Sequence, residues 1–195
     1  MSQPDAACDV VAIVGSAGGI AAMENVLGQL PADLDAAVIM VLHLTAQHKS
    51  MLARILARRT ELAVREAEDG VELTPATVFV APPDAHLLVT ADGRLRLDQS
   101  ELVHHVRPSA DVLLLSIARD YPGRCLAVVL SGTGIDGAAG AAAVKQAGGT
   151  VVAQDEATAQ HFGMPGAAIL TGGVDHVLPL DRIGDAVLKF TRTRV

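Results

Sequence analysis

The sequence predicts an α/β fold: a doubly wound, mostly parallel sheet flanked by helices, with a small antiparallel β-hairpin excursion. Three observations lead to this prediction. Short, nearly continuous apolar runs rich in Val and Ile are typical of strands buried on both faces. Helical patterns alternate with these runs, which favours parallel pairing with right-handed crossovers. Short strand candidates separated by turn signals interrupt the alternation in the middle of the chain.

The predicted elements follow one another along the whole chain. Parallel strands are expected at residues 10–14, 37–42, 125–130 and 150–153, and helices at residues 20–30, 50–59, 111–121, 137–147 and 181–191. The excursion holds candidates at residues 62–66, 77–81, 87–90 and 94–97, and an Ala-Asp-Gly turn precedes the last of them. No repeat, low-complexity tract or linker divides residues 1–195, so we expect one domain.

Composition argues against several classes of function. The chain has 195 residues, a formal net charge of -7, three Phe, one Tyr and no Trp. It lacks the basic surface and the aromatic platform that nucleic-acid binding uses, so we expect no nucleic-acid partner. No apolar run reaches the ~20 residues of a spanning helix, and the N-terminus lacks a signal-peptide pattern. We expect a cytoplasmic protein without membrane insertion, with Cys8 and Cys125 as free thiols.

The first candidate for chemistry is Ser16, in the run Val-Gly-Ser-Ala-Gly-Gly at residues 14–19, directly after the first strand. Glycines permit a sharp turn that exposes the serine hydroxyl, and N–H groups at the following helix start can bind an oxyanion. The nucleophile-elbow pattern G-x-S-x-G is incomplete, because Val14 takes its first position. A phosphate-binding turn or a structural turn is the alternative, although neither G-x-G-x-x-G nor the P-loop pattern is present.

Two further candidates follow other predicted strands. His43 ends the apolar run at residues 38–42, and Asp136 lies in the loop Ser-Gly-Thr-Gly-Ile-Asp-Gly at residues 131–137, where an ordinary helix N-cap is the alternative. The carboxyl ends of parallel strands share one edge of a sheet. A serine, a histidine and an aspartate gathered there can form a catalytic triad. Their chain order differs from the Ser, Asp, His order of α/β-hydrolases.

Several stretches in one order resemble the catalytic domain of the chemotaxis protein-glutamate methylesterases, the CheB family. The resemblance covers about residues 10 to 189. The matching stretches are AIVGSAGG at 12–19, His43, EAEDG at 66–70, VAP at 80–82, RPS at 107–109, LSGTGIDGA at 130–138 and FGMP at 162–165.

The resemblance implies the roles of the site residues. It assigns the nucleophile to Ser16, the base to His43 and the orienting acid to Asp136. It places an oxyanion and substrate cleft at Ala17, Thr133, Gly134, Met164 and Arg107. The implied reaction is hydrolysis of glutamate γ-methyl esters on chemoreceptor helices with release of methanol, together with glutamine deamidation. We expect no cofactor and no metal.

The chain departs from the family pattern in three positions near the site. Ala17 stands where the family usually has Thr, Val14 where it has Gly, and Thr133 where it has Met. Because the first strand begins at about residue 10, we also expect no receiver domain. Two other hypotheses stay open: a catalytically weak receptor-binding scaffold, and a nucleotide-binding α/β domain. The adjacent His104 and His105 favour a structural or rim role over a zinc site.

Overall fold

A computed structural model describes residues 9–43 and 51–192. Its strands are β1 (Asp9–Gly15), β2 (Ala36–Leu42), β3 (Ala63–Glu66), β4 (Thr77–Val80), β5 (His86–Val89), β6 (Leu95–Asp98), β7 (Cys125–Val129), β8 (Thr150–Gln154) and β9 (His176–Leu178). Its helices are α1 (Gly19–Leu27), α2 (Leu52–Leu56), α3 (Ala110–Asp120), α4 (Ala138–Gln146), α5 (Gly163–Leu170) and α6 (Ile183–Arg192). None of the helices in these two ranges is long and apolar enough to cross a membrane.

Seven strands form one parallel sheet in the order β3-β4-β2-β1-β7-β8-β9, and β5 and β6 form a separate antiparallel hairpin. Alternate residues of the buried strands face opposite layers, as the period of two requires. Val10, Ala12 and Val14 of β1 pack towards α3, α4, α5 and the hairpin. Val11 and Ile13 pack towards α1, α2 and α6. The doubly wound fold class is therefore confirmed.

The central excursion is only partly antiparallel, so that prediction was wrong for its first half. β3 and β4, which the sequence analysis assigned to the excursion, are parallel strands of the main sheet. The turn signals that suggested antiparallel pairing belong to the loop between β3 and β4, which runs alongside β6 and pairs with it. Gly70 N–H donates to Leu95 O at 2.8 Å, and Leu95 N–H donates to Val71 O at 2.8 Å. The connecting loop thus supplies the antiparallel neighbour that the turn signals suggested.

Four other elements differ from the predictions. α5 and β9 were not predicted, because α5 contains two glycines and a proline and β9 has only three residues at the sheet edge. The helix predicted at residues 50–59 is the short α2, with residue 50 outside the described ranges. A 3₁₀ turn, Leu180–Arg182, precedes α6 and delays its start.

The strand order reverses between β1 and β7. From β1 the chain proceeds to β2 on one side, whereas the later strands β8 and β9 extend from β7 on the other. Ligand sites of open α/β sheets form at such a reversal, at the carboxyl ends of the strands. The loops that follow β1, β2 and β7 therefore border the crevice where a site is expected.

Candidate active site

Ser16 lies in a tight turn between β1 and α1. Its N–H donates to Ser131 O at 3.0 Å, and its own carbonyl accepts the N–H of Gly19 at 2.8 Å. Gly18 closes the turn in the left-handed conformation, with φ of 76°. The turn is thereby fixed against the loop after β7, and the Ser16 side chain is directed into the crevice, where it lines a cleft of about 600 Å³.

The glycines of this turn make room for the protein's own atoms. A Cβ on Gly15 would lie 3.2 Å from Ser131 O, and one on Gly19 would lie 2.6 Å from the Leu42 side chain. A Cβ on Gly18 would lie 2.7 Å from the Ser131 hydroxyl. The run of glycines is accounted for by close packing against β2 and the loop after β7. Because the protein's own atoms account for these glycines, the glycines no longer indicate a phosphate-binding turn.

His43 directly follows β2, and its side chain contacts Asp136. Its N–H donates to Gly15 O at 3.4 Å, which continues the β1–β2 pairing by one residue. Its Nε2 lies 2.7 Å from Asp136 Oδ2, and only 13% of its side chain is exposed. A carboxylate accepts hydrogen bonds, so the ring proton belongs on Nε2 and Nδ1 carries the lone pair. The histidine is thus held in the tautomer that leaves one nitrogen free to accept a proton.

The Ser16 hydroxyl and the His43 ring border the same cleft. Within residues 9–43 and 51–192 no hydrogen bond joins the two side chains. Nucleophile–base contacts commonly become short only when substrate is bound. The structure thus brings His43 and Asp136 into contact, and it places Ser16 and His43 in the lining of one cleft.

Asp136 is almost entirely buried at the N-terminus of α3 and accepts four hydrogen bonds. Oδ2 accepts from His43 Nε2 at 2.7 Å and from Ala110 N–H at 2.6 Å. Oδ1 accepts from the Ser109 hydroxyl at 2.7 Å and from Asp111 N–H at 3.1 Å. The N-cap expected for Asp136 thus exists, but on a helix that begins 26 residues earlier in the chain. The cap position of α4 is taken instead by Gly137.

These contacts keep the Asp136 carboxylate charged. Burial alone would raise its pKa, but the hydrogen bonds from His43, Ser109, Ala110 and Asp111 together hold the pKa below its usual range. The positive end of the α3 dipole acts in the same direction. A buried, ionised carboxylate bonded to one ring nitrogen is the group that orients a histidine base and stabilises its protonated form.

Two backbone N–H groups in the turn of Ser16 and in the loop after β7 are free to donate. Among the residues that the structure describes, the N–H groups of Ala17 and Thr133 donate to no protein acceptor. Ala17 lines the cleft next to Ser16. Thr133 and Gly134 are exposed in the loop after β7, where Gly134 has a left-handed φ of 86°. Free N–H groups beside a serine are what stabilisation of a tetrahedral intermediate requires.

Two residues expected in the cleft make other contacts in the structure. Met164 is fully buried in the core, and a Cβ on Gly132 would lie 2.2 Å from its sulfur and 3.0 Å from Ser16 Cβ. Met164 therefore packs against Gly132 in the core. The Arg107 guanidinium is held by Asp84 and by the carbonyls of the segment at residues 99–100. Its donors are committed to the protein, so it braces a loop.

Sequence reasoning did not assign a role to Ser109, Asp111 or Ser131. The Ser131 hydroxyl donates to Ala17 O at 2.8 Å, and the Ser131 N–H donates to Gln154 Oε1 at 2.9 Å. The available signal was helix capping, since Ser109 immediately precedes α3 and Asp111 lies in its first turn. The Ser109 hydroxyl oxygen accepts the Val112 N–H locally. The contacts of Ser109 and Asp111 with distant parts of the chain could not be named from that pattern.

One group of side chains has the composition of a metal site. His104, Asp111 and Asp136 each offer a ligand atom, all within 4.8 Å of one another. The carboxylate oxygens already accept hydrogen bonds from Ala110, Gly140 and other donors. The group is therefore accounted for as a hydrogen-bonded network between two helix N-termini.

The fold and the site together define a doubly wound α/β domain with a serine, histidine and aspartate constellation of the serine-hydrolase type. The family model described as CheB methylesterase matches residues 11–187. The chain belongs to the CheB methylesterase family.

Named relatives and a solved structure agree with this assignment. The chain is 40% identical over 189 residues to protein-glutamate methylesterase FrzG of Myxococcus xanthus, covering 97% of this chain and 57% of that protein. It is 44% identical over 184 residues to protein-glutamate methylesterase/protein-glutamine glutaminase 2 of Anaeromyxobacter dehalogenans, covering 94% and 54%. The CheB methylesterase catalytic domain of Thermotoga maritima superposes with a TM-score of 0.90 at 37% identity, covering 93% and 98%. The chain thus spans about half the length of these curated relatives.

Proposed function

We propose that this protein hydrolyses glutamate γ-methyl esters on the cytoplasmic helices of methylated chemoreceptors and releases methanol. The observation that carries the proposal is the 2.7 Å contact between His43 Nε2 and Asp136, next to Ser16 in one cleft of a CheB-family fold. The names of the relatives support the choice of substrate, since they are described as protein-glutamate methylesterases.

In the first step the Ser16 hydroxyl attacks the ester carbonyl while Nδ1 of His43 takes the hydroxyl proton. Asp136 stabilises the imidazolium that forms, because its charge lies against Nε2. The N–H groups of Ala17 and Thr133 are the proposed donors to the oxyanion. Collapse of the tetrahedral intermediate transfers the proton from His43 to the departing methoxide, which leaves as methanol.

In the second step water hydrolyses the glutamyl ester on Ser16. His43 Nδ1 takes a proton from the water as its oxygen attacks the acyl carbonyl, and then returns the proton to Ser16 Oγ. The product is a glutamic acid side chain, which loses the remaining water proton to solvent and then carries one negative charge more than the ester. The same two steps with ammonia as the leaving group convert glutamine to glutamate. Relatives whose names include protein-glutamine glutaminase favour this second activity.

We place this activity in the cytoplasm, where chemoreceptor methylation sites face the enzyme. The buried Cys125 is a free thiol, which suits a reducing compartment. Signal transduction in chemotaxis is the corresponding role, with methylated receptor helices as the partner.

Methanol release from methylated receptor membranes tests the proposal. Wild-type protein is expected to release methanol, and a Ser16→Ala variant is expected to release none above background. A fluorophosphonate probe gives an independent measurement, because it labels an activated serine without any receptor. Labelling of Ser16 with no release of methanol would point to a different ester. Absence of both signals would favour the receptor-binding scaffold and overturn the proposal.

A further inference from the structure

A second buried carboxylate, Asp111, lies directly behind the acid of the triad. Only 3% of the residue is exposed. Its Oδ1 accepts the N–H of Gly140 at 2.7 Å, and its Oδ2 lies 3.1 Å from Nε2 of His104. The backbone N–H of the same residue donates to Asp136 Oδ1 at 3.1 Å. Asp111 is therefore connected to the triad acid through one hydrogen bond of its own main chain.

The two aspartates cap each other's helices. Asp136, which lies two residues before α4, accepts N–H groups from the first turn of α3. Asp111, which belongs to α3, accepts an N–H from the first turn of α4. The helices approach closely at this point, since a Cβ on Gly140 would lie 2.5 Å from Leu114 Cβ. The cross-capping fixes the Asp136 carboxylate relative to both helices.

The two carboxylates of this pair carry like charges, which repel each other. Burial raises the pKa of the Asp111 carboxyl, and the charge of Asp136 adds to that rise against the hydrogen bonds from Gly140 and His104. His104 lies at the outer end of the row, with 40% of its side chain exposed to solvent. The arrangement is a row of His43, Asp136, Asp111 and His104, with each carboxylate bonded to one histidine.

One other titratable group in the described residues faces the start of α3. His86 on β5 is fully buried; its Nδ1 accepts the N–H of Ser109 at 3.1 Å, and its Nε2 lies 3.0 Å from Glu101 O. A neutral ring with its proton on Nε2 satisfies both contacts. The ligand atoms of His104, Asp111 and Asp136 all lie within 4.8 Å of one another, so two titratable groups besides His43 lie close to the Asp136 carboxylate.

We propose that Asp111, backed by His104, is a positioning residue for the triad. It holds the Asp136 carboxylate against the N-terminus of α3, and it sets the electrostatic field in which His43 takes up a proton. This inference rests on the proposed serine hydrolysis, because it assigns Asp111 to the same site.

Asp111→Asn is the informative variant. The amide oxygen still accepts the Gly140 N–H, and the amide NH₂ can donate to His104 Nε2 in its other tautomer, so both hydrogen bonds survive while the charge is lost. A negative charge near His43 favours its protonated form. Its loss is expected to move the acid limb of the pH–rate profile to lower pH by about half a unit, or roughly threefold in rate below the midpoint.

His104→Gln provides a variant at a partly exposed position with the opposite sign. It removes the side chain that adds positive charge beside Asp111 when protonated, so the acid limb is expected to move to higher pH. Asp175→Asn is the matched control. Asp175 accepts the Val151 N–H at 2.9 Å and pairs with Lys145, but it lies at the opposite end of the sheet strands. That variant is expected to leave the acid limb unchanged.

The measurement is the rate of fluorophosphonate labelling of Ser16 between about pH 5 and 8, with urea unfolding of each variant alongside. Opposite shifts in the two variants support the inference. A folded Asp111→Asn variant with an unmoved acid limb, or shifts of the same sign, would overturn it and leave a purely structural cap. If Asp111→Asn does not fold, His104→Gln decides the question by the presence or absence of its upward shift. Failure of the wild type to label would instead overturn the proposed function.

Discussion

The substitution Asp136→Asn is predicted to damage stability and turnover together. The carboxylate accepts two hydrogen bonds on each oxygen, from His43 and Ala110 on Oδ2 and from Ser109 and Asp111 on Oδ1. An asparagine has one acceptor oxygen, so in either orientation its NH₂ group faces a backbone N–H of α3. One buried donor then has no acceptor.

The size of the effect follows from those contacts. A buried N–H without an acceptor costs about 1–3 kcal/mol, and loss of a charge at the α3 N-terminus costs roughly 1 kcal/mol more. We expect the free energy of unfolding to fall by about 2–4 kcal/mol, summed from these two terms. If the NH₂ group faces His43 Nε2, the ring proton must move to Nδ1, which can then no longer accept the Ser16 proton. Turnover is expected to fall by about 10³–10⁴-fold.

The stability difference also has a pH signature. The folded-state pKa of Asp136 is held low, so its contribution to stability is fully present above the unfolded carboxyl pKa of about 3.9. It is lost as the pH falls through the folded-state value. The gap in unfolding free energy between wild type and Asp136→Asn is therefore expected to shrink as the pH falls below about 4.

Urea unfolding and fluorophosphonate labelling measure the two effects, and Asp175→Asn serves again as the control. In Asp175 the hydrogen bonds from Lys145 and Val151 outweigh burial and lower the carboxyl pKa, so its substitution should also reduce stability. It should leave labelling of Ser16 intact. An Asp136→Asn variant with normal labelling would refute the assignment of Asp136 as the orienting acid. Unchanged stability would refute the capping role.

Three further predictions concern the neighbourhood of the nucleophile and the core. Ser16→Ala should fold normally and lose turnover by roughly 10³-fold or more, measured as methanol release. Gly132→Ala should lose about 1–3 kcal/mol of stability and about 10²-fold in rate, because the new Cβ meets Met164 and Ser16. In a Met164→Ala background, urea unfolding should show a smaller loss for the same Gly132→Ala change, and an equal loss would show that this contact is not the cause. Burial raises the pKa of Cys125 to about 12, so in a Cys8→Ser background iodoacetamide at pH 8 should modify it only after unfolding, as read by mass spectrometry.

Local pattern was sufficient for the alternating strands and helices of the main sheet. Each buried strand is a continuous apolar run, and this signal lies within a few consecutive residues. The same reasoning misread β3 and β4, because the choice between parallel and antiparallel pairing depends on where the connecting loop packs. It also missed α5, whose Gly and Pro residues oppose a helix that tertiary packing nevertheless stabilises.

The residues of the site likewise fall into those that the sequence identified and those that it did not. Ser16 and His43 were identifiable because each directly follows a strand, and Asp136 because it lies in the loop after β7; the carboxyl ends of parallel strands meet at one edge. The roles of Asp111 and Met164 were not identifiable, since both depend on contacts between segments far apart in the chain.

The sequence by itself determined the fold class, the catalytic candidates and the edge of the sheet on which they lie, because strand burial, glycine turns and helix starts are encoded over short stretches. Only the tertiary structure decided that Asp136 caps α3 and not α4, and that Asp111 lies behind it. It also decided that the Arg107 guanidinium donates its hydrogen bonds to Asp84 and to neighbouring carbonyls. The physical reason is that a carboxylate or guanidinium binds whichever donors or acceptors the packed helices and loops bring within about 3 Å, and local pattern does not specify that packing.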